Sequence, residues 1–541
     1  MDNIDLTNSD YLSTRGPFGD SDGTRAQIKE IVNGFINFQE FKGFSGLAFE
    51  ESDRIKRIII GKKGSGKTIY LRRIQDLCKQ EESTYVTSIP YDPPSTRLIV
   101  KICEWSNVQE VSELWTDIWQ KAIYRALFTH ILYSENLGKR ISTKQRAKIY
   151  SYFKKILPKN KYPVTIYSQL KNICSSYNDI ASLNNYLDNT LWDDFESELS
   201  TLMKDLPVIY LFIDAVDEDY AHAPLHWLRC QKGLFYAVYR MLRNQKFGGR
   251  LHISICIRET ILAHVYGGEH MSRYINDNRV KILSWDKKSI KYFLNKKIEK
   301  LEDTYFLGDI ENSQKNLNTL LNLPNISYTR NGNSYIENID EYIVRHTRLL
   351  PRDIVNIGNE ICRGIKEFKQ TGNVIWTEEI SIKLLKNAIS KCSKAIAIES
   401  IAWCSNQQTS NWMYNGAYNH YNDELYTSDQ EMVKGVASYF RDLIQNIQFD
   451  RFKYIDISNR LSNICEFGFK EDDNPFNILW QFGLIGYLDK EGLNSSKEIF
   501  FTEISPDGFL LPRDRDEYVF HSVLIDLLNI KPIGKPVYVG N

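Results

Sequence analysis

Twelve consecutive residues constrain this chain more than any others: Arg57-Ile58-Ile59-Ile60-Gly61-Lys62-Lys63-Gly64-Ser65-Gly66-Lys67-Thr68. An apolar run of strand length enters a glycine-rich turn that ends in Gly-Lys-Thr, and helix-compatible sequence follows over residues 69–80. This fits the pattern G-x-x-x-x-G-K-[ST] in the strand–loop–helix context that gives the pattern meaning. Gly61, Gly64 and Gly66 let the backbone turn tightly, so that N–H groups from Lys62, Lys63 and Ser65 can face a polyphosphate. The following helix N-terminus adds partial positive charge. Lys67 supplies a full charge to the β- and γ-phosphates, and the Thr68 hydroxyl is a ligand for Mg²⁺. The expectation is an α/β nucleotide-binding core with ATP and Mg²⁺ as its ligands.

A second apolar run, Leu206-Pro207-Val208-Ile209-Tyr210-Leu211-Phe212-Ile213-Asp214, closes on an acid. Continuous rather than alternating hydrophobicity predicts a parallel strand buried on both faces. An acid at its carboxyl end sits where open α/β sheets bind ligands, which places Asp214 on the metal opposite Thr68. Asp217 or Glu218, just beyond, would orient the attacking water. Further strands are expected at 85–89, 97–105, 250–257 and 280–285. Arg258 ends one of them. It either reaches the γ-phosphate or pairs with Glu259 at the surface.

With 541 residues the chain needs three or four units. The expected division is a lead-in segment 1–49 with a helix near 25–38, a core 50–302, a helical lid 303–395 and a C-terminal module 396–541. Within the core, 109–203 reads as a helical insertion, with Val111, Leu114, Trp115, Ile118, Trp119 and Ala122 at helical spacing. It is expected to serve as a platform for a partner or for self-assembly, outside the nucleotide pocket. Residues 303–337 are Asn-rich and polar and read as an irregular insertion. Leu350-Pro351-Arg352 opens a helix with Pro at its favoured first position. Arg352 is a second candidate γ-phosphate sensor. Arg345 and Arg348 compete for that role, and pairing with Asp353 is the structural alternative. The tail reads as a helix at 475–484 followed by short strands at 485–488, 498–502 and 518–521, a winged-helix-like pattern. Its recognition-helix candidate, 474–484, carries no Arg or Lys, which favours a protein contact over DNA.

Composition narrows the classes. Lys plus Arg equals Asp plus Glu at 68 each, which argues against a generally nucleic-acid-coating protein and leaves a local basic patch open. Nine cysteines without a C-x-x-C pair suit a reducing cytosol. There is no signal-peptide core and no membrane-length apolar run, so a cytoplasmic chain without a membrane partner is expected.

Asp214-Ala215-Val216-Asp217-Glu218 resembles the acidic Walker B motif of NACHT-type STAND ATPases, a branch related to AAA+. Ile255-Cys256-Ile257-Arg258 resembles their strand-end arginine, and Leu283-Ser284-Trp285-Asp286 the segment that closes their core. Leu350-Pro351-Arg352 resembles the lid-helix opening of related bacterial ATPases found in anti-phage defence. The similarity spans about 50–370. It implies an α/β P-loop core, a parallel sheet with helices on both faces, with a helical lid and a C-terminal winged-helix-like module. It also implies ATP rather than GTP, Asp214 on magnesium, the later acids Asp217 and Glu218 in hydrolysis, and slow turnover in a homo-oligomeric switch. The wide separation of Lys67 and Asp214 departs from the family, as does the lack of an effector domain before the core and of repeats after it. The effector is therefore expected on another polypeptide, a nuclease among the candidates. The competing expectation is an AAA+-type motor or loader that places its winged helix on DNA.

Overall fold

Ile58, Ile59 and Ile60 have no solvent exposure, as residues of a parallel strand covered on both faces must. In the computed structural model the described residues are 15–23, 55–89, 96–105, 111–156, 164–214, 224–243, 245–259, 261, 277–310, 314–330, 332–372, 375–414, 429–457, 475–490, 496–500, 510–533 and 536. They form two units, one of residues 49–63 and 67–283, the other of 1–48, Gly64–Gly66 and 284–541.

The first unit is built on a five-stranded parallel sheet. Its strands are β1 (Ile58–Gly61), β2 (Thr84–Val86), β3 (Val208–Asp214), β4 (Leu251–Arg258) and β5 (Val280–Ile282), in the spatial order β2-β3-β4-β1-β5. Every pairing is parallel, with Ile58 opposite Ile255 and Gly61 opposite Arg258. The connection from β1 leaves toward β2 and that from β4 leaves toward β5. Adjacent strands whose connections diverge mark the carboxyl edge at β1 and β4 as the switch point where such sheets bind ligands.

Helix α1 (Lys67–Lys79) follows β1. Residues 97–105, expected as a strand, instead form α2 (Thr96–Glu104). Its buried residues, Ile99, Ile102 and Cys103, recur at three and four, and that period overrides the short apolar run that suggests a strand. Among the described residues, six more helices precede β3: α3 (Val111–Tyr133), α4 (Glu135–Gly138), α5 (Thr143–Phe153), α6 (Ile166–Ser176), α7 (Ile180–Leu187) and α8 (Leu191–Met203). The breaks between them are written in their caps. Ser134, Ser142, Thr165 and Asp179 each accept a hydrogen bond from a backbone N–H of the next turn, and Ser142 and Gln145 form a full capping box.

Helix α9 (Pro224–Arg243) lies against α3 at close range. A Cβ on Gly233 would stand 2.3 Å from the Trp115 Cβ and 2.7 Å from its carbonyl carbon. The Trp119 indole N–H reaches the Cys230 carbonyl at 2.8 Å. The helical stretch thus packs into this unit through two tryptophans.

In the second unit, residues 303–337 are not irregular. They contain α11 (Leu317–Leu321), which follows α10 (Lys287–Glu299), and the hairpin β6 (Asn325–Arg330) and β7 (Asn333–Asn338). Six residue pairs run in register from Asn325 opposite Asn338 to Arg330 opposite Asn333. The Asn331-Gly332 dipeptide is a strong two-residue hairpin signal, and Gly332 takes φ +74°.

Then come α12 (Ile339–Val344), α13 (Pro351–Gln370), α14 (Glu378–Tyr414) and α15 (Asp429–Ile447). The chain continues through β8 (Arg451–Phe452), α16 (Pro475–Gln481), β9 (Ile485–Lys490), β10 (Ser496–Phe500), β11 (Tyr518–Phe520) and α17 (Ser522–Leu528). The four strands make an antiparallel sheet in the order β8-β11-β9-β10.

Two apolar cores share α14. Leu385, Ala388, Ile389 and Cys392 enter one with α10 and α13. Ile396, Ala397, Ile401 and Cys404 enter the other with the antiparallel sheet. Residues 15–20 form a tight turn whose Phe18 is buried in the first core, where Gly358 leaves room for its ring. The expected helix near 25–38 lies outside the described residues. No described helix is long and apolar enough to cross a membrane.

Candidate functional site

β1 delivers the chain at Gly61 and α1 begins at Lys67. Gly64 and Gly66 take φ +91° and +96°, the left-handed region that a side chain makes costly. Gly61 does not share that conformation; it continues the ladder opposite Arg258. The loop therefore owes its tight turn to Gly64 and Gly66, while Gly61 belongs to the strand.

Lys67 is buried, and its ammonium folds back over the loop to the carbonyls of Gly61 at 2.9 Å and Lys62 at 3.0 Å. One residue on, the Thr68 hydroxyl donates to a carboxylate oxygen of Asp214 at 2.7 Å. β3 is two strands from β1, about 10 Å away at normal strand spacing, so α1 must carry Thr68 across the carboxyl edge for the two to meet. The hydroxyl of Tyr167, on α6, donates to the Asp214 backbone carbonyl. The stretch expected to stand apart from the pocket thus fixes the end of the acid-bearing strand.

Ser65 is buried, and its hydroxyl has no hydrogen-bond partner among the described residues. An orphaned hydroxyl is costly unless a ligand satisfies it. Its carbonyl accepts from the Trp285 indole N–H at 3.0 Å.

Within the second unit, the Arg352 N–H points to the Gly64 carbonyl at 3.4 Å, and its Nε donates to the Ser21 carbonyl at 3.2 Å. A Cβ on Gly64 would stand 3.1 Å from the Arg352 Cβ. Arg352 does not pair with Asp353, because Arg348 takes that carboxylate with Nε at 3.1 Å and a terminal nitrogen at 2.9 Å. Arg345 is held by Glu337 at 3.1 Å. Both competitors are therefore committed to ion pairs. The bend before α13 also places Leu349 at φ +55°, a strained conformation for a bulky side chain.

Arg258 is buried at the end of β4, opposite Gly61. Asp217 and Glu218 lie outside the described residues. Lys62 and Lys63 complete the loop without deep burial.

Sequence reasoning missed Tyr167, which reads as one more packing aromatic, and Ser21, which meets Arg352 through the turn built on Phe18. Asn359 fixes that turn by accepting from the Phe18 N–H at 2.9 Å and donating to the Gly19 carbonyl at 3.1 Å.

Among the described residues no three His, Cys, Asp or Glu side chains cluster as a protein metal cage would require. Magnesium does not need such a cage. It accepts one or two hard protein oxygens and completes its shell with water and phosphate, and the Thr68–Asp214 pair fits that demand. Compared with known proteins, the chain matches no family model and no curated protein.

Proposed function

We propose that the chain binds ATP with Mg²⁺ at residues 61–68 and hydrolyses it slowly, as a regulatory switch of the STAND and AAA+-related kind. In this reading nucleotide state controls self-assembly and an effector protein on another polypeptide, such as a nuclease in anti-phage defence. The observation that carries it is the 2.7 Å approach of Thr68 and Asp214, 146 residues apart, beside a lysine curled over a loop with two left-handed glycines. Thr68 and Asp214 would hold the metal, which neutralises phosphate charge when bound. Lys67 would hold the β- and γ-phosphates, and the orphaned Ser65 hydroxyl would donate to a phosphate oxygen. Arg258 and Arg352 are the cations assigned to the γ-phosphate, and Asp217 or Glu218 the acid that orients water.

The DNA-loader alternative loses weight for a physical reason. The candidate recognition helix α16 buries six of its seven residues, Pro475 through Trp480, in its own core. A helix that reads a groove must present side chains to it.

Calorimetric titration of ATP into wild type and Lys67→Ala tests the assignment. The lost phosphate contact should weaken binding roughly ten- to hundredfold with the melting curve unchanged. Unaltered affinity would remove the site. Asp214→Asn should abolish magnesium dependence. Hydrolysis assayed with and without DNA separates the two readings, since the switch gains nothing from DNA.

A further inference from the structure

Helices α4 and α5 carry a charge imbalance that the proposed nucleotide chemistry does not use. Over residues 136–178 the sequence holds ten Lys and Arg and no Asp or Glu, in a chain where the two classes balance at 68 each. A solvated protein face ordinarily intersperses the two signs. Lys139 and Arg140 are exposed on the turn between the two helices. Arg146 reaches back from α5 to the Gly138 carbonyl at 2.9 Å and ties that turn to the helix. Lys144, Lys148 and Lys155 recur at four and seven through α5 and the turn that follows it. All three are exposed, on the side away from the buried Ile149 and Phe153.

Lys139, Arg140, Lys144, Lys154 and Lys155, all exposed, make no ion pair among the described residues. α8 supplies two acids to this face: Glu198 pairs with Lys148 at 2.7 Å, and Asp194 accepts from the Tyr152 hydroxyl at 3.0 Å. Aromatic rings are set among the cations. Tyr150 and Tyr152 are 37% and 52% exposed. Tyr133 meets Tyr150 edge-on at a centroid distance of 6.5 Å, with their hydroxyls hydrogen-bonded.

We infer that this face docks single-stranded nucleic acid, DNA or RNA, holding the phosphodiester backbone on its cations and the bases on its exposed tyrosines. The inference does not rest on the nucleotide reading. A basic stripe along a helix is the electrostatic footprint of a nucleic-acid surface, and Lys and Arg without protein partners gain from releasing the counterions of phosphates. From Lys144 to Lys155 is about 16 Å at helical rise, room for several phosphates of one strand. Charge alone would suit an acidic protein as well; the rings decide. They select a strand whose bases are unpaired, because every base has a face to stack and a duplex hides it. Capture of this kind needs no hydrolysis, which separates it from the loader reading.

The test is fluorescence anisotropy on the full chain with labelled oligothymidylate, oligouridylate and a DNA duplex of the same length. At least one single strand should bind saturably in the micromolar range or tighter, and more tightly than the duplex; the tighter of the two shows which sugar is preferred. Lys144→Gln with Lys155→Gln should weaken it at least about tenfold and flatten the log–log salt dependence by about 1.4, two contacts at about 0.7 each for a single strand. Tyr150→Leu removes a ring and no charge, so it should weaken binding about fivefold and leave the salt slope unchanged. Lys383→Gln with Lys386→Gln makes the same charge change at exposed positions of α14 and should leave binding within about twofold. Thermal melting checks that every variant folds. No saturable binding to either strand, a duplex bound as tightly, equal losses in the two lysine pairs, or full affinity in Tyr150→Leu would each overturn the proposal.

Discussion

Both units bury ionisable groups, and the clearest examples in each are handled differently. In the parallel-sheet unit, three histidines and a cysteine are kept neutral. His130, His226 and His252 are each pushed down to about 4 by burial, and Cys103 is pushed up to about 11. Arg57, Arg229, Lys281 and Glu196 are buried there as well, Glu196 beside Lys246. In the unit built on α13 and α14, charge is retained and paired: Arg345 with Glu337 in the interior, Arg348 with buried Asp353 and partly exposed Glu399, and Lys291 with Asp340 and Glu341 at partly exposed positions. A neutral interior is held by shape and has one good packing. A charged one is held by a few directional bonds, and breaking one of them leaves a charge without its partner.

The largest expected effect lies in the charged network. Burial alone would lower the Arg348 pKa, but the charges of Asp353 and then Glu399 outweigh it and raise it. Asp353→Asn leaves that guanidinium buried beside a neutral amide, and about 3–5 kcal/mol of stability should be lost. Glu399 is about a third exposed, so Glu399→Gln should cost no more than about 1 kcal/mol. Hydrogen exchange should show the Asp353→Asn loss in α13 and α14, with the parallel strands still protected. Equal costs for the two variants would end the distinction between a buried charge network and surface pairing.

Shape is tested at Gly233. An exposed helical Gly→Ala gains about 1 kcal/mol from propensity. Here the new Cβ would meet Trp115 backbone and Cβ atoms that cannot rotate away. Gly233→Ala should therefore cost about 1–3 kcal/mol in urea denaturation. A gain would show that the approach of α3 to α9 is slack.

Acid should separate the units next. The three histidines titrate at 6.5 when unfolded and near 4 when folded. Their contribution is complete above pH 6.5 and is lost as pH falls toward 4, because the unfolded chain takes up protons first. The parallel-sheet unit should lose exchange protection progressively over that window. His130→Asn should flatten the dependence in proportion, and a wild-type profile with no slope between pH 6.5 and 4 would refute the neutral-interior account.

The sequence was most legible where physics is local. A strand, two left-handed glycines and a helix start are fixed by a dozen residues, and the unbroken apolar run into Asp214 marks a parallel strand because nothing else needs both faces apolar. The meeting of Thr68 with Asp214 followed from sheet geometry rather than from spacing. Residues 97–105 were misread because a short apolar run satisfies both periods and only burial at 99, 102 and 103 decides. Residues 303–337 looked irregular because a polar hairpin has no apolar alternation, and composition concealed the Asn-Gly turn. Tyr167 and Ser21 were illegible because their partners are distant in sequence and only tertiary packing brings them together.

The smallest effect on stability, and the most informative, is expected at Arg352. It occupies the first turn of α13, where its N–H faces the Gly64 carbonyl and its Nε the Ser21 carbonyl. Neither partner is a carboxylate, and the nearby carboxylate of Asp353 belongs to Arg348. Removing Arg352 therefore strands no buried anion, and stability should move by no more than about 0.5 kcal/mol. Nucleotide binding should respond more strongly. A guanidinium that holds two γ-phosphate oxygens contributes to ATP binding alone, so Arg352→Ala should weaken ATP about tenfold and leave ADP within about twofold. Arg352→Lys keeps the charge but not the fork, and should fall between. If Arg352 only tethers the turn around Ser21, ATP and ADP will weaken equally and Arg352→Lys will restore both, which would return γ-phosphate sensing to Arg258 and leave the charged unit without a direct view of nucleotide state.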